Sequence, residues 1–169
     1  MPPRSLTLQA RLDEVERTIR ELAVEHAYAF SADGEPLFHR TTDSESEVRF
    51  DAEALARLPG AVLTHNHPGG RSFSERDVTF AMRIGLAEMR VVTARSRYIL
   101  RPPGGEWSWL LLKSFPAVVK VERHLLEWEL HREILSGVRG QREANLVIHH
   151  LLWERLAAQG LIDYSADQW

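Results

Sequence analysis

The stretch Ala61–Val78 (Ala-Val-Leu-Thr-His-Asn-His-Pro-Gly-Gly-Arg-Ser-Phe-Ser-Glu-Arg-Asp-Val) constrains the fold more than any other part of the chain. An apolar run leads into two histidines, a Pro-Gly-Gly turn follows, and Ser74-x-x-Asp77 opens an apolar-periodic segment. This is the pattern of a buried strand that turns directly into a helix. Successive strand side chains alternate between faces, so His65 and His67 leave on the same side and can reach one ion. Asp77 falls in the first turn of the helix, close to them. Two neutral imidazoles and a carboxylate would leave a fourth position for water, the arrangement of a catalytic rather than a structural zinc. Each part also has a plainer meaning. Ser74-Glu-Arg-Asp77 is a capping box with Asp in place of Glu, His-x-His alone is often two surface residues, and Pro-Gly-Gly alone is a turn. Their concentration in one short segment favours the metal.

Composition removes several alternatives. A chain of 169 residues with formal net charge -3 suits one domain with an appended helical segment and advertises no cationic face for nucleic acid. Cysteine is absent, which excludes disulfides, thiolate zinc sites and the Pro-Cys-x-x-Cys pair of zinc deaminases. No His-Glu-x-x-His occurs. The N-terminus shows neither an apolar signal region nor a cleavage site, and no long apolar span follows, so the expected location is the cytoplasm with no membrane partner.

Read in order, Leu8, Leu12, Val15, Ile19 and Leu22 predict an amphipathic helix over Ser5–Val24. Ala27–Phe30 and Leu37-Phe38 flank the Ser31–Glu35 turn as a hairpin. Thr41–Glu47 reads as an acidic loop, Val48–Phe50 as a short strand, and Asp51 as the cap of a short helix that Pro59-Gly60 stops. Ala61–Thr64 is a buried strand, Ser74–Met89 a helix, and Arg90–Ala94 with Arg97–Leu100 a second hairpin. The fold class is mixed α/β. Beyond Gly105, a long helix is expected from Pro116 to Gly137, with Val118, Val121, Leu125 and Trp128 on its working face. A second helix runs over Glu143–Gln159. The expected division is therefore residues 1–105 as the core domain and 106–169 as a helical segment packing on the core or on a partner. His124 and His131 read as helix-surface residues, and the tryptophans as core or interface.

At the level of motif, His65-x-His67-Pro68-(five residues)-Ser74-x-x-Asp77 resembles the JAMM signature of the JAB/MPN metallopeptidases. That family includes deubiquitinating isopeptidases, prokaryotic JAB peptidases and RadC-like proteins. Glu25-His-Ala-Tyr-Ala-Phe-Ser-Ala-Asp33-Gly34 matches the strand-turn-strand setting of the family's upstream glutamate. The likeness covers about Glu25–Pro103. It implies a JAB/MPN-like (cytidine-deaminase-like) mixed sheet flanked by helices, with Zn2+ on His65, His67 and Asp77. It also implies Glu25 as the base acting on zinc-bound water and Ser74 as the oxyanion donor. The spacer from Pro68 to Ser74 is one residue shorter than in the better-known members and is similar to a prokaryotic and phage-associated branch.

The activity so implied is hydrolysis of a peptide or isopeptide bond in a protein or peptide substrate, with a ubiquitin-like conjugate and a homodimer through the helices both open. The main rival is a non-catalytic JAMM-like module for a partner such as a phage structural protein. A metal-dependent nucleic-acid enzyme is the weaker third, opposed by the charge.

Overall fold

The alternation of side chains along the strands sorts the sheet into two unlike faces, both covered at its centre. The computed structural model describes residues 7–41 and 49–169. It comprises helix α1 (Leu8–Ile19), the hairpin β1 (His26–Phe30) and β2 (Pro36–Thr41), and the short helix α2 (Ala52–Ala56). Strand β3 (Val62–Asn66), helix α3 (Glu75–Ile84), and strands β4 (Glu88–Val92) and β5 (Ser96–Arg101) follow. Helices α4 (Trp109–Leu135) and α5 (Gln141–Ala158) and strand β6 (Asp163–Gln168) complete it. The six strands form one sheet in the order β2-β1-β3-β4-β5-β6. β3 and β4 pair in parallel across the α3 crossover, and every other pairing is antiparallel. The result is a mixed α/β architecture, as the order of patterns predicts.

Ala27, Ala29, Leu63, Met89, Val91 and Leu100 point to one face, where they join Phe73, Val78 and Ala81 and the buried residues of α4 and α5 in the main core. Phe30 and Val62 point to the other face and pack on Leu12 of α1. That second face is also polar. Buried Glu16 on α1 receives Thr64 Oγ1 at 3.1 Å and pairs with Arg90 at 3.4 Å and Arg97 at 2.6 Å. Arg90 and Arg101 also pair with Glu88. Side chains from three strands, Thr64, Arg90 and Arg97, thus converge on one helix carboxylate, and each of these buried charges has an opposite partner.

Several element boundaries differ from expectation for local reasons. α1 is capped by Thr7, whose side chain accepts the Ala10 N–H, and it stops at Ile19 rather than Val24. The hairpin turn meets the start of α1 so closely that a Cβ on Gly34, already at φ +87°, would lie 3.0 Å from the Leu8 nitrogen. Arg49 and Phe50 are not in a strand, while Val48 and the acidic 42–47 loop lie outside the described residues. The helix expected to reach Met89 ends at Ile84, because Gly85 adopts the left-handed conformation (φ 75°, ψ 43°) that closes a helix. Met89 belongs to β4.

Pro116 does not begin α4. Ser108 caps it by accepting the Leu111 N–H, and the proline sits inside the helix on its exposed side. The buried face of α4 is Leu111, Phe115, Val119, Leu126 and Leu130, not the expected stripe: Val121 and Trp128 are 59% and 61% exposed. α4 carries two apolar stripes, and the core takes the one facing α3 and α5. Trp109 and Trp128 are likewise exposed rather than core, whereas Trp153 is fully buried.

The tail after Gly160, for which the sequence pattern offers no reading, is strand β6 on the edge of β5. The 106–169 segment therefore adds a strand to the same sheet, and Trp153 and Leu156 sit in the same core cluster as Leu63 and Met89.

The Glu16 network yields a stability prediction. Removing one partner of a buried pair leaves an uncompensated charge, at a cost of about 3–5 kcal/mol. Glu16→Ala should therefore lower unfolding free energy by about that much in urea titration, while Asp13→Ala, at the half-exposed rim pair with Arg97, should cost less than about 1 kcal/mol.

Candidate metal centre

His65 is the fourth residue of β3, on the main-core face, and is almost fully buried. His67 lies just past the strand but continues its ladder by donating its backbone N–H to Val92 O at 2.9 Å. Side chains of like parity share a side, and the two Nε2 atoms stand 3.1 Å apart with their rings inclined at 73°. The Pro68-Gly69-Gly70 turn, closed by Gly70 N–H on His67 O at 3.0 Å, folds the chain back under His67. His67 Nδ1 then meets two backbone carbonyls, Arg71 O at 3.1 Å and Ser72 O at 3.2 Å. Both partners can only accept, so Nδ1 carries the hydrogen and Nε2 keeps its lone pair. His65 Nδ1 is buried and faces the Arg90 carbonyl without closing a full hydrogen bond. Two imidazole nitrogens 3.1 Å apart call for a proton or a cation between them, because two facing lone pairs repel.

Two carboxylates supply the opposite charge. Asp77 is the third residue of α3, and the expected capping box is present in full. Ser74 Oγ accepts the Asp77 N–H at 3.2 Å, while Asp77 Oδ2 receives Ser74 N–H at 2.6 Å and Ser74 O–H at 2.8 Å. The cap and the site are therefore one object: the bonds that start the helix also set the carboxylate. Asp77 Oδ1 lies 3.7 Å from His65 Nε2, and Oδ2 lies 3.6 Å from His67 Nε2. Glu25, buried immediately before β1, places Oε1 3.7 Å from His65 Nε2 and 3.8 Å from His67 Nε2. All five sequence-predicted residues, Glu25, His65, His67, Ser74 and Asp77, come together. Glu25 stands as near the imidazoles as Asp77 does, so position alone assigns neither carboxylate to ligand or base.

Asn66 is the residue that sequence reasoning passed over. It is fully buried between the histidines in sequence and points to the opposite face. Its Oδ1 accepts the His26 N–H at 2.7 Å, and its Nδ2 donates to Leu22 O at 3.2 Å and Val24 O at 3.0 Å. These three bonds hold the segment that delivers Glu25, and Thr41 Oγ1 adds a fourth by donating to the Glu25 carbonyl at 3.1 Å. The only signal was the amide between two candidate ligands.

Charge in the site is divided unequally. Burial disfavours the charged form of His65, but the hydrogen bond and charge of Asp77, with Glu25 behind, outweigh it and raise the pKa. Burial and the neighbouring His65 charge push His67 down to about 4. Burial opposes ionisation of Asp77, yet His65, His67 and the Ser74 hydroxyl hold its carboxyl well below the ordinary range. Within the cluster a proton is therefore held more readily by His65 than by His67.

These residues fit a tetrahedral cation. Metal–ligand distances near 2.0–2.1 Å put ligand atoms about 3.3 Å apart. The 3.1 Å between imidazoles and the 3.6–3.8 Å to the carboxylates bracket that edge. The ligand atoms of Glu25, His65 and His67 all lie within 4.8 Å of one another. The nitrogen and carboxylate donor set, with the second nitrogen of His67 on backbone carbonyls, suits zinc. The cluster opens into a cavity of about 550 Å³, walled by Phe50, Leu55, Phe80 and Met89 and bordered by Arg49 and Arg76. Of the other histidines, His124 and His131 are exposed on α4, as expected.

Comparison with known proteins adds no relative: no family model, curated protein or solved structure matches the chain.

If zinc occupies this cluster it competes with protons for the imidazoles, and because the His65 pKa is raised, apparent affinity should fall as pH drops below that pKa. The expected slope is about tenfold per pH unit, read from chelator-competition titrations over pH 5.5–8 (about the range in which imidazoles titrate). A pH-independent affinity would contradict the charge assignment.

Proposed function

We propose that the chain is a JAMM-type zinc hydrolase of JAB/MPN-like fold that cleaves a peptide or isopeptide amide. One observation carries this reading: two imidazole nitrogens and two carboxylates converge beside a cavity, with the His67 tautomer pinned by the Arg71 and Ser72 carbonyls. His65, His67 and Asp77 would hold the metal. When bound, zinc supplies Lewis acidity and brings the pKa of water to about 7.

The remaining chemistry belongs to the chain. Glu25 takes a proton from the attacking water and hands it to the departing amine, so the amide bond breaks without an amide anion leaving. Its burial behind the Asn66 clamp keeps it within reach of both imidazoles. Ser74 donates its hydroxyl hydrogen to Asp77, which orients the carboxylate. To act as the oxyanion donor it must turn that hydrogen toward the developing charge. Phe50, Leu55, Phe80 and Met89 exclude water from one side of the cavity and accept an apolar substrate side chain, while Arg49 and Arg76 can hold a neighbouring carbonyl or carboxylate.

No helix among the described residues is long and apolar enough to cross a membrane. A second reading, a partner-binding module without catalysis, draws on the exposed stripe of Val121, Leu125, Trp128 and Leu135 on α4.

Paired variants separate the roles. Glu25→Gln keeps the shape and removes the base, so it should retain stoichiometric zinc and lose hydrolysis by about 10²–10⁴-fold. Asp77→Asn should lose zinc first. Zinc content by elemental analysis and turnover on a quenched peptide library check both. Loss of zinc from Glu25→Gln would make Glu25 the ligand instead, and wild-type protein that takes up no zinc would end the catalytic reading.

A further inference from the structure

The strand and the helix cap account for His65 and Asp77, but the orientation of His67 depends on the Arg71–Ser74 loop. That loop has little regular structure of its own. Its backbone carbonyls are the groups His67 Nδ1 bonds, so whatever immobilises the loop fixes the imidazole. The contacts that do so come from the far end of the chain.

Trp153 on α5 is fully buried and donates its indole N–H to Phe73 O at 2.8 Å, across 80 residues of sequence. Phe73 is itself fully buried and meets the ring of Tyr164 on β6 edge-on, with centroids 6.2 Å apart. The Tyr164 hydroxyl accepts or donates with His150 Nδ1 at 2.8 Å and faces the buried Ser72 hydroxyl. Trp153 is in turn stacked on Phe115 of α4, 6.2 Å away and 11° from parallel. The indole and the Tyr164 ring therefore both hold Phe73, the residue between Ser72, whose carbonyl His67 bonds, and the Ser74 cap.

We propose that Trp153 and Tyr164 are positioning residues of the metal centre: the α5–β6 segment holds the Ser72–Phe73 backbone and thereby aims His67. This rests on the metal reading above and extends it to the C-terminal segment, which would be an integral part of the site rather than an appendage. A residue that orients a ligand through its hydrogen-bond partner commonly changes metal affinity by 10–100-fold. Trp153 acts one link further out, so a smaller effect is expected.

The structure contains a matched control. Trp107 donates its indole N–H to Leu86 O at 2.8 Å, the same kind of bond made at the other end of α3 rather than to the His67 loop. Trp153→Phe and Trp107→Phe each delete one tryptophan–carbonyl bond while keeping an aromatic ring. Zinc affinity of the full chain would be measured by chelator competition. The Co2+-substituted visible spectrum would report ligand geometry, and thermal unfolding the stability.

Trp153→Phe should weaken zinc binding by about 3- to 10-fold and alter the Co2+ spectrum, whereas Trp107→Phe should leave both as in wild type even where its melting temperature falls as much. Tyr164→Ala, which opens the edge-strand side of the same grip, should act like Trp153→Phe and serves if that variant does not fold. Equal zinc affinities for folded Trp153→Phe, or for Tyr164→Ala in its place, and wild type would overturn the proposal and leave the metal reading standing. So would equal losses in the 153 and 107 variants. Wild-type protein without zinc affinity would overturn both.

Discussion

The Asn66 carboxamide ties together parts of the chain that otherwise have no reason to meet. Strand β3 delivers His65 to one face and, by the alternation of the pleat, Asn66 to the other. From there Asn66 satisfies the His26 N–H and the Leu22 and Val24 carbonyls, backbone groups of an irregular segment that would be costly to bury unpaired. The segment so held carries Glu25 to the histidines. One residue thus converts a local His-x-His into a four-sided cluster, and it does so from behind the sheet, where it leaves the cavity open.

The same economy governs the opposite edge of the cluster. Ser74 and Asp77 are at once the start of α3 and a wall of the site, so helix formation and carboxylate placement cannot be separated energetically. The buried charges of the α1 face show the other side of this trade. Glu16, Arg90, Arg97 and Glu88 satisfy one another on the face away from the cavity and from the Glu25–His65–His67–Asp77 cluster. Apolar positions of the same strands face the cavity and main core instead. A sheet with a charged face under α1 and an apolar face under α3, α4 and α5 can seat a reactive cluster on its apolar side. There, weak solvation strengthens each charge interaction.

Much of this was legible because the relevant physics is short-range. The strand parity of His65 and His67, the Ser74–Asp77 cap, the hairpin around Gly34 and the Asp51 cap are all settled within a few residues. Errors arose where neighbours far along the chain decide. α4 has two apolar stripes, and nothing within the helix says which one α3 and α5 will cover. Asp163–Gln168 has no apolar alternation, and becomes a strand because β5 offers an open edge. Pro116 reads as a helix start, yet Ser108 caps earlier and the ring is accommodated on the solvent side.

For the site, the identity of four candidate ligands and bases and of the Ser74 donor was present in residue order. The sequence by itself determined that two imidazoles leave one face of a strand and that a carboxylate follows at a helix N-terminus. Those placements depend only on backbone periodicity and capping. Only the tertiary structure decided that Glu25 reaches the same point through Asn66, and that Trp153 and Tyr164 brace the loop behind His67. Both depend on side-chain hydrogen bonds and packing between segments 40 to 80 residues apart, and no local pattern encodes which distant partner will be there.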